Sequence, residues 1–299
     1  MSTTTKNMTR REVLGALGMT LAAIPLGQLL ACGGEAPVIE GAGWASGGTA
    51  AMTGTSAYPN PFTSELGTAC TLTCEQILGP CYGTTWVRKD ISEGHAGLPV
   101  RLAFRVLDES CEPVPGATVD IWHAGPAGVY SGDDQHPFCN PDSEEARAAR
   151  WFRGVQTTDA DGRVDFDTCF PGWYSGRAVH IHFTIKIAGT ESVTSQLYFE
   201  DSLNDDIIGT QPLYNTRGQR DTRNTKDKIV AQERLGDFIF QTQKMPDGAL
   251  LAWKTVIVRP STGTPLCDAH SQHMKELIDA GIDPNDASTF PPDILTPTP

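Results

Sequence analysis

Basic residues are scarce in this chain: 23 Lys and Arg stand against 36 Asp and Glu, a formal charge of -13 at pH 7. They are also scattered, with no run that would track a phosphate backbone. Nucleic acids and anionic membrane surfaces are therefore poor partners. Long apolar runs are missing too. The segment from Leu14 to Ala31 is broken by Pro25 and by polar positions, and is too weak for a stable membrane span. No internal repeat is visible, which excludes a stacked-repeat architecture. Helical patterns are few and short, one at Glu144–Trp151 inside a long loop and one at His270–Ala280.

What is present at the N-terminus is a targeting signal. Thr9-Arg10-Arg11-Glu12-Val13-Leu14 is a twin-arginine pattern, and Leu29-Leu30-Ala31-Cys32-Gly33 has the form of a lipoprotein cleavage box. Residues 1–31 are expected to be removed, leaving Cys32 as the acylated first residue. The protein is then exported and lipid-anchored, facing the periplasm or the medium. A signal cut elsewhere, with Cys32 unmodified, is the plainer alternative. A twin-arginine route suits proteins that fold before export. Residues 32–68 are rich in Gly, Ala, Ser, Thr and Pro and are expected to be a flexible linker.

Eight cysteines are present. In an exported protein disulfides are the default. Setting Cys32 aside leaves an odd number, so one thiol stays unpaired; the spacing does not fix the pairing. Cys70, Cys74 and Cys81 as thiolate metal ligands form the sharper alternative, but they lack the pair-and-pair zinc spacing.

From Leu98 onward the pattern is all-β. Pro99–Leu107 alternates well, and Pro113-Val114-Pro115-Gly116 turns into Ala117–Trp122. Further strands are expected at 164–166, 179–187, 193–199 and 251–258. The spacing predicts a single β-sandwich domain of Greek-key character with long loops over 69–262. A C-terminal extension, 263–299, follows, with one short helix and a Pro-rich tail.

The chain is organised around Pro171-Gly172-Trp173-Tyr174-Ser175-Gly176-Arg177-Ala178-Val179-His180-Ile181-His182-Phe183. On a strand, His180 and His182 share one face while Ile181 and Phe183 take the other. Two imidazoles two residues apart make half of a metal site. Tyr174 and Tyr130 offer phenols. A free tyrosine has a pKa of about 10, so two ionised phenols near neutral pH require a hard, strongly Lewis-acidic cation. Ferric iron fits that requirement better than zinc or ferrous iron. Each piece also has an ordinary structural reading: a core histidine pair, a strand-end aromatic, a corner tyrosine.

Taken together and in order, the motifs are more specific. Gly79-Pro80-Cys81-Tyr82, Val119–Ala124, Gly128-Val129-Tyr130-Ser131, Arg153–Asp159 with Gly162, and Pro171–His182 resemble the intradiol ring-cleavage dioxygenases. These non-haem ferric enzymes include the protocatechuate and catechol dioxygenases. The likeness runs from about Thr71 to Arg259 and is nearest the exported branch resembling the protocatechuate 3,4-dioxygenase β subunit. It implies one Fe(III) per chain, with Tyr130 and His180 as equatorial ligands and Tyr174 and His182 as axial ones. It gives Arg177 the role of stabilising negative charge on the substrate and Gln196 that of a supporting polar residue. Tyr82 and Trp173 would be pocket walls.

The implied reaction cleaves a catechol with O2 to a cis,cis-muconate-type diacid, the displaced Tyr174 phenolate accepting a catechol proton. Two departures from the family stand out. Cys81 occupies a position where many members carry an aromatic or apolar residue. Only five residues separate Tyr174 from His180, which shortens one rim of the cavity. The N-terminal helical segment with which the catechol enzymes dimerise is not seen, so a monomer is expected. Two other readings compete. A non-catalytic exported β-sandwich binding an aromatic or glycan requires that the two tyrosines and two histidines do not converge. A metal hydrolase or ferrous facial-triad oxygenase requires Asp120 or Asp159 beside His180 and His182.

Overall fold

The structure is a computed structural model that describes residues 43–53, 58–64, 67–132, 139–140, 142–259, 261, 263–283 and 289. The twin-arginine segment, Cys32 and all of the Pro-rich tail but Asp283 and Thr289 lie outside these residues. The strands are β1 (Pro99–Leu107), β2 (Thr118–Trp122), β3 (Arg153–Thr157), β4 (Arg163–Cys169), β5 (His180–Ile187), β6 (Thr190–Tyr198), β7 (Gln241–Lys244) and β8 (Leu250–Ile257). They form two four-stranded sheets, β4-β1-β8-β7 and β3-β2-β5-β6.

A single core holds the sheets together. Leu102, Phe104 and Val106 of β1 and Phe166 of β4 pack with Ile121 of β2 and Ile181, Phe183 and Ile185 of β5. Phe104 and Phe183, on opposite sheets, lie 5.8 Å apart, ring centre to ring centre. Each such side chain taken out of water contributes about 1.5–3 kcal/mol, and the alternation along β5 assigns that contribution to one face. The other face of β5 carries His180 and His182. The core thus fixes the direction of both imidazoles: a one-residue slip of β5 would expose Ile181 and Phe183 and bury the histidines between the sheets.

The expected strands are all present, each within a few residues of its anticipated limits. Two strands and two helices have no counterpart in the sequence pattern. Arg153–Thr157 pairs with β2, although its alternation is masked by Gly154. Short, largely polar β7 is stabilised by pairing with β8. Helix α2 (Asp201–Thr210) runs into α3 (Pro212–Asn215), following a short α1 (Glu144–Ala148). Helix α2 has little apolar periodicity; it is fastened by buried Arg220, which reaches Asp201 at 2.6 Å and Asp205 at 2.8 Å. The C-terminal helix α4 (Gln272–Asp279) falls where His270–Ala280 predicted it, capped by Ser271.

Within 32–68, expected as a linker, the described residues Trp44, Thr49, Tyr58 and Phe62 make contacts with the domain. The Trp44 indole donates to Asp206 (2.7 Å), Thr49 pairs with Asp90 and Ser92, and Tyr58 donates to Asp247 (3.0 Å). Arg101 and Arg105 stack on Tyr58 and Phe62. Isolated aromatics in a Gly/Ser-rich stretch carry no period, yet each finds a guanidinium or a carboxylate on the domain. Disulfides join Cys70 to Cys111, Cys74 to Cys267 and Cys81 to Cys139; Cys169 is buried and free. Thiolate ligation by Cys70, Cys74 and Cys81 is thereby overturned, and the expected unpaired thiol is Cys169. The Cys74–Cys267 bridge ties the C-terminal extension to the start of the domain. Among the described residues no helix is long and apolar enough to cross a membrane.

Candidate metal centre

Four donor atoms meet on the outer face of the β3-β2-β5-β6 sheet. The Nε2 atoms of His180 and His182 lie 3.0 Å apart, and the phenol oxygens of Tyr130 and Tyr174 lie 3.3 and 3.2 Å from His180 Nε2. The histidines come from β5, Tyr130 from the loop after β2, and Tyr174 from the loop that leads into β5. His180 Nδ1 donates to the Ala178 carbonyl (2.6 Å), so its Nε2 presents a lone pair to the cluster. Burial lowers the pKa of both imidazoles well below the ordinary value and raises that of both phenols. Neutral imidazole lone pairs this close repel unless a proton or cation lies between them. The set is suited to a hard cation that would ionise both phenols.

The walls of this cluster are built to touch it. Trp122, paired directly with His182 across β2 and β5, stacks on the His182 ring at 5.0 Å and 11°. Gly79 also lies close to this ring: a Cβ there would stand 3.1 Å from His182 Cε1, and its φ of 77° suits glycine. Tyr130 is fully buried, whereas Tyr174 is only partly so.

A model of the Dioxygenase family matches residues 79–241, more than half the chain. The chain belongs to the intradiol ring-cleavage dioxygenases. The chain is 30% identical over 127 residues to a chlorocatechol 1,2-dioxygenase of Pseudomonas sp. (strain P51), covering 36% of this chain and 45% of that one. It is 27% identical over 146 residues to catechol 1,2-dioxygenase 1 of Acinetobacter lwoffii, covering 43% of each. The chain thus spans less than half the length of the curated relatives it matches. Among solved structures, an intradiol ring-cleavage dioxygenase from Tetranychus urticae superposes with a TM-score of 0.56 at 27% identity, covering 64% of this chain and 96% of that one.

Beside the four donors, the protein holds Arg177 in a fixed pose. Its Nε lies 3.0 Å from Asp227 Oδ2, and its Nη2 donates to Gln196 Oε1 (2.5 Å). Gln196 in turn donates to the Ile77 carbonyl (3.0 Å). Burial, the largest influence, lowers the Arg177 pKa, but Asp227 together with Tyr174, Tyr198 and Tyr130 outweighs it and the net direction is up. Arg177 is therefore a permanent cation at the edge of the site. Gln196 holds that cation, and it pairs directly with His182 across β5 and β6.

Tyr82 and Trp173 stand one step back. Tyr82 sits edge-on to Trp122 (4.8 Å) and donates to Asp120 Oδ2 (3.0 Å); Trp173 is stacked under Arg217 (4.4 Å). Asp120 also accepts from Thr85, and Asp159 caps its own turn through Asp161 and Arg163. Among the described residues no three of His, Cys, Asp or Glu gather, so the facial-triad reading loses its carboxylate.

Sequence reasoning missed Asp227, Tyr198 and Trp122 as parts of the site. Tyr198 was within reach: it shares the face of Gln196 two residues away, and its hydroxyl donates to Gln76 at 3.1 Å. Asp227 lies in a segment with no periodic signal. Only the tertiary fold brings it to Arg177.

Proposed function

We propose that this protein is an exported Fe(III)-dependent dioxygenase that cleaves a catechol-type aromatic with O2 to a cis,cis-muconate-type diacid. The observation that carries this reading is the convergence of Tyr130, Tyr174, His180 and His182. A non-catalytic binding sandwich expects these four side chains to lie apart. The catechol-cleaving names of the relatives support the substrate class.

The four donors would hold one iron per chain. Ferric iron held there would supply Lewis acidity, drawing electron density from the oxygens of a catechol. The enclosed phenol of Tyr130 stays in place. Tyr174, on the more open side, is the phenol free to swing out and take a catechol hydroxyl proton as substrate arrives. Arg177, held by Asp227 and Gln196, offsets negative charge developing on the ring without reorganising. Trp122 and Gly79 keep His182 from turning away.

The three disulfides support an oxidising compartment. The twin-arginine pattern and the Cys32 box support export and lipid anchoring, with the chain acting as a monomer. The first experiment is the visible spectrum of the iron-analysed protein before and after anaerobic catechol. A tyrosinate-to-iron band that shifts with catechol, followed by O2 uptake and a diacid product, is expected. A ferric-loaded protein that stays colourless would refute the reading.

A further inference from the structure

Arg153 opens β3 and belongs to a motif, Arg153–Asp159, to which neither the iron chemistry nor the substrate assigns a task. Its side chain is buried, yet among the described residues no carboxylate lies within ion-pair distance of it. The guanidinium binds main-chain oxygens instead. Its Nε donates to the Ser131 carbonyl (2.8 Å) and to Ser131 Oγ (3.2 Å); its Nη2 donates to the Cys81 carbonyl (2.6 Å) and also to Ser131 O. Nη1 is buried without a partner. A desolvated cation with an idle arm is a poor device for stability alone, and asks for another explanation.

The two carbonyls identify that explanation. Ser131 follows Tyr130 directly. Cys81 lies two residues beyond Gly79, the residue that lies close to the His182 ring. The same two loops are joined covalently by Cys81–Cys139, and the Cys139 carbonyl accepts from the Tyr130 amide (2.8 Å). Arg153 itself pairs with Trp122, which pairs with His182, so guanidinium, stacking indole and imidazole share one line across the sheet. Gly132 leaves the guanidinium its space: a Cβ there would stand 3.0 Å from Nη2.

We propose that Arg153 is a positioning residue that clasps the Tyr130 loop and the Gly79–Tyr82 loop together, and so sets where the Tyr130 oxygen meets the two imidazoles. The inference rests on the metal-centre reading given above. The planar fork is what the task needs, since one lysine ammonium cannot reproduce the paired donation to both loops.

The test compares full-length wild type with Arg153→Lys, Arg153→Met and Gly132→Ala. The Gly132 variant displaces the guanidinium without removing it, and decides the matter if neither Arg153 variant folds. Two properties are measured: amide hydrogen exchange of the metal-free protein in peptides covering 78–83 and 128–132, and the visible band after ferric loading. Arg153→Lys should exchange at least tenfold faster in both peptides while β5 and β6 keep their protection, and its ferric band should shift or lose at least half its intensity. Unchanged exchange in the two peptides overturns the proposal. So does uniformly faster exchange across the domain, or faster loop exchange with an unaltered band. If wild type itself takes no colour from ferric iron, the functional reading fails, and exchange alone then decides whether Arg153 sets these loops.

Discussion

Trp122 lies flat on the His182 ring, 5.0 Å away and 11° from parallel, and both side chains are buried. The indole limits how far the imidazole can rotate, so it acts on the donor geometry without being a donor. Trp122→Ala should cost about 3–5 kcal/mol of stability as a large-to-small core change. Iron affinity should fall about 10–100-fold, as for other groups that orient metal ligands. Trp122→Phe should recover most of both. Denaturant melts and an iron-binding titration measure the two effects. Full iron affinity in a destabilised Ala variant would show that the stack does not orient His182.

Asp227 is wholly buried. It accepts from Arg177 (Nε to Oδ2, 3.0 Å), from the Ala178 amide (2.9 Å) and from the Ile229 amide (2.9 Å). Asp227→Asn leaves a part-buried guanidinium without its counter-charge and should cost about 3–5 kcal/mol. Adding Arg177→Gln should return part of that loss, because the stranded cation is gone. Thermal melts of the two single variants and the double variant form the test. Additive losses would mean the pair is not coupled.

Gly79 has φ 77°, and a Cβ there would stand 3.1 Å from His182 Cε1. Gly79→Ala should cost about 1–2 kcal/mol from left-handed backbone alone. It should also move the ferric absorption band by pushing the ring. A band identical to wild type, at reduced stability, would confine the role of Gly79 to the turn.

Acid should destabilise the metal-free protein through its buried histidines. Burial brings the His123 pKa down to about 4, with its Nε2 against Thr168 Oγ1 at 2.8 Å, so the folded form stays neutral where the unfolded chain takes up a proton. Between about pH 6.5 and 4 the unfolded state therefore binds more protons. Stability is complete above about pH 6.5 and falls toward pH 4, by roughly 3 kcal/mol for this one group. Asp120 opposes it: burial raises its pKa to about 6 despite hydrogen bonds from Tyr82 and Thr85, so the folded form holds a proton that the unfolded one releases. Replacing Asp120 with Asn should steepen the acid-side loss of melting temperature. A shallower slope would reverse this assignment.

Much of the site was legible because it follows from period. Alternation in the 179–187 segment assigned Ile181 and Phe183 to one face and His180 and His182 to the other, and the core between the sheets enforces that choice. Strand β1 was legible over its whole length, Pro99–Leu107, for the same reason. Where period is absent, legibility ended. Helix α2 is stabilised by Arg220 through ion pairs between residues 15 and 19 positions apart, which leave no local trace. Trp44, Tyr58 and Phe62 looked like parts of a linker because each is a lone aromatic.

By itself the sequence determined the two-sided strands, the four candidate donors, the ordered motifs from Gly79 to His182 and the odd thiol. These are local properties: side-chain direction on a strand, turn residues and residue type at a spacing. The tertiary structure alone decided that phenols 44 residues apart meet over one pair of imidazoles. It alone decided which cysteines pair, that Asp227 holds Arg177, and that Arg153 grips two loops by their carbonyls. The physical reason is that contacts between distant residues are selected by burial and complementary charge once the chain has closed its core. No window of sequence carries that information.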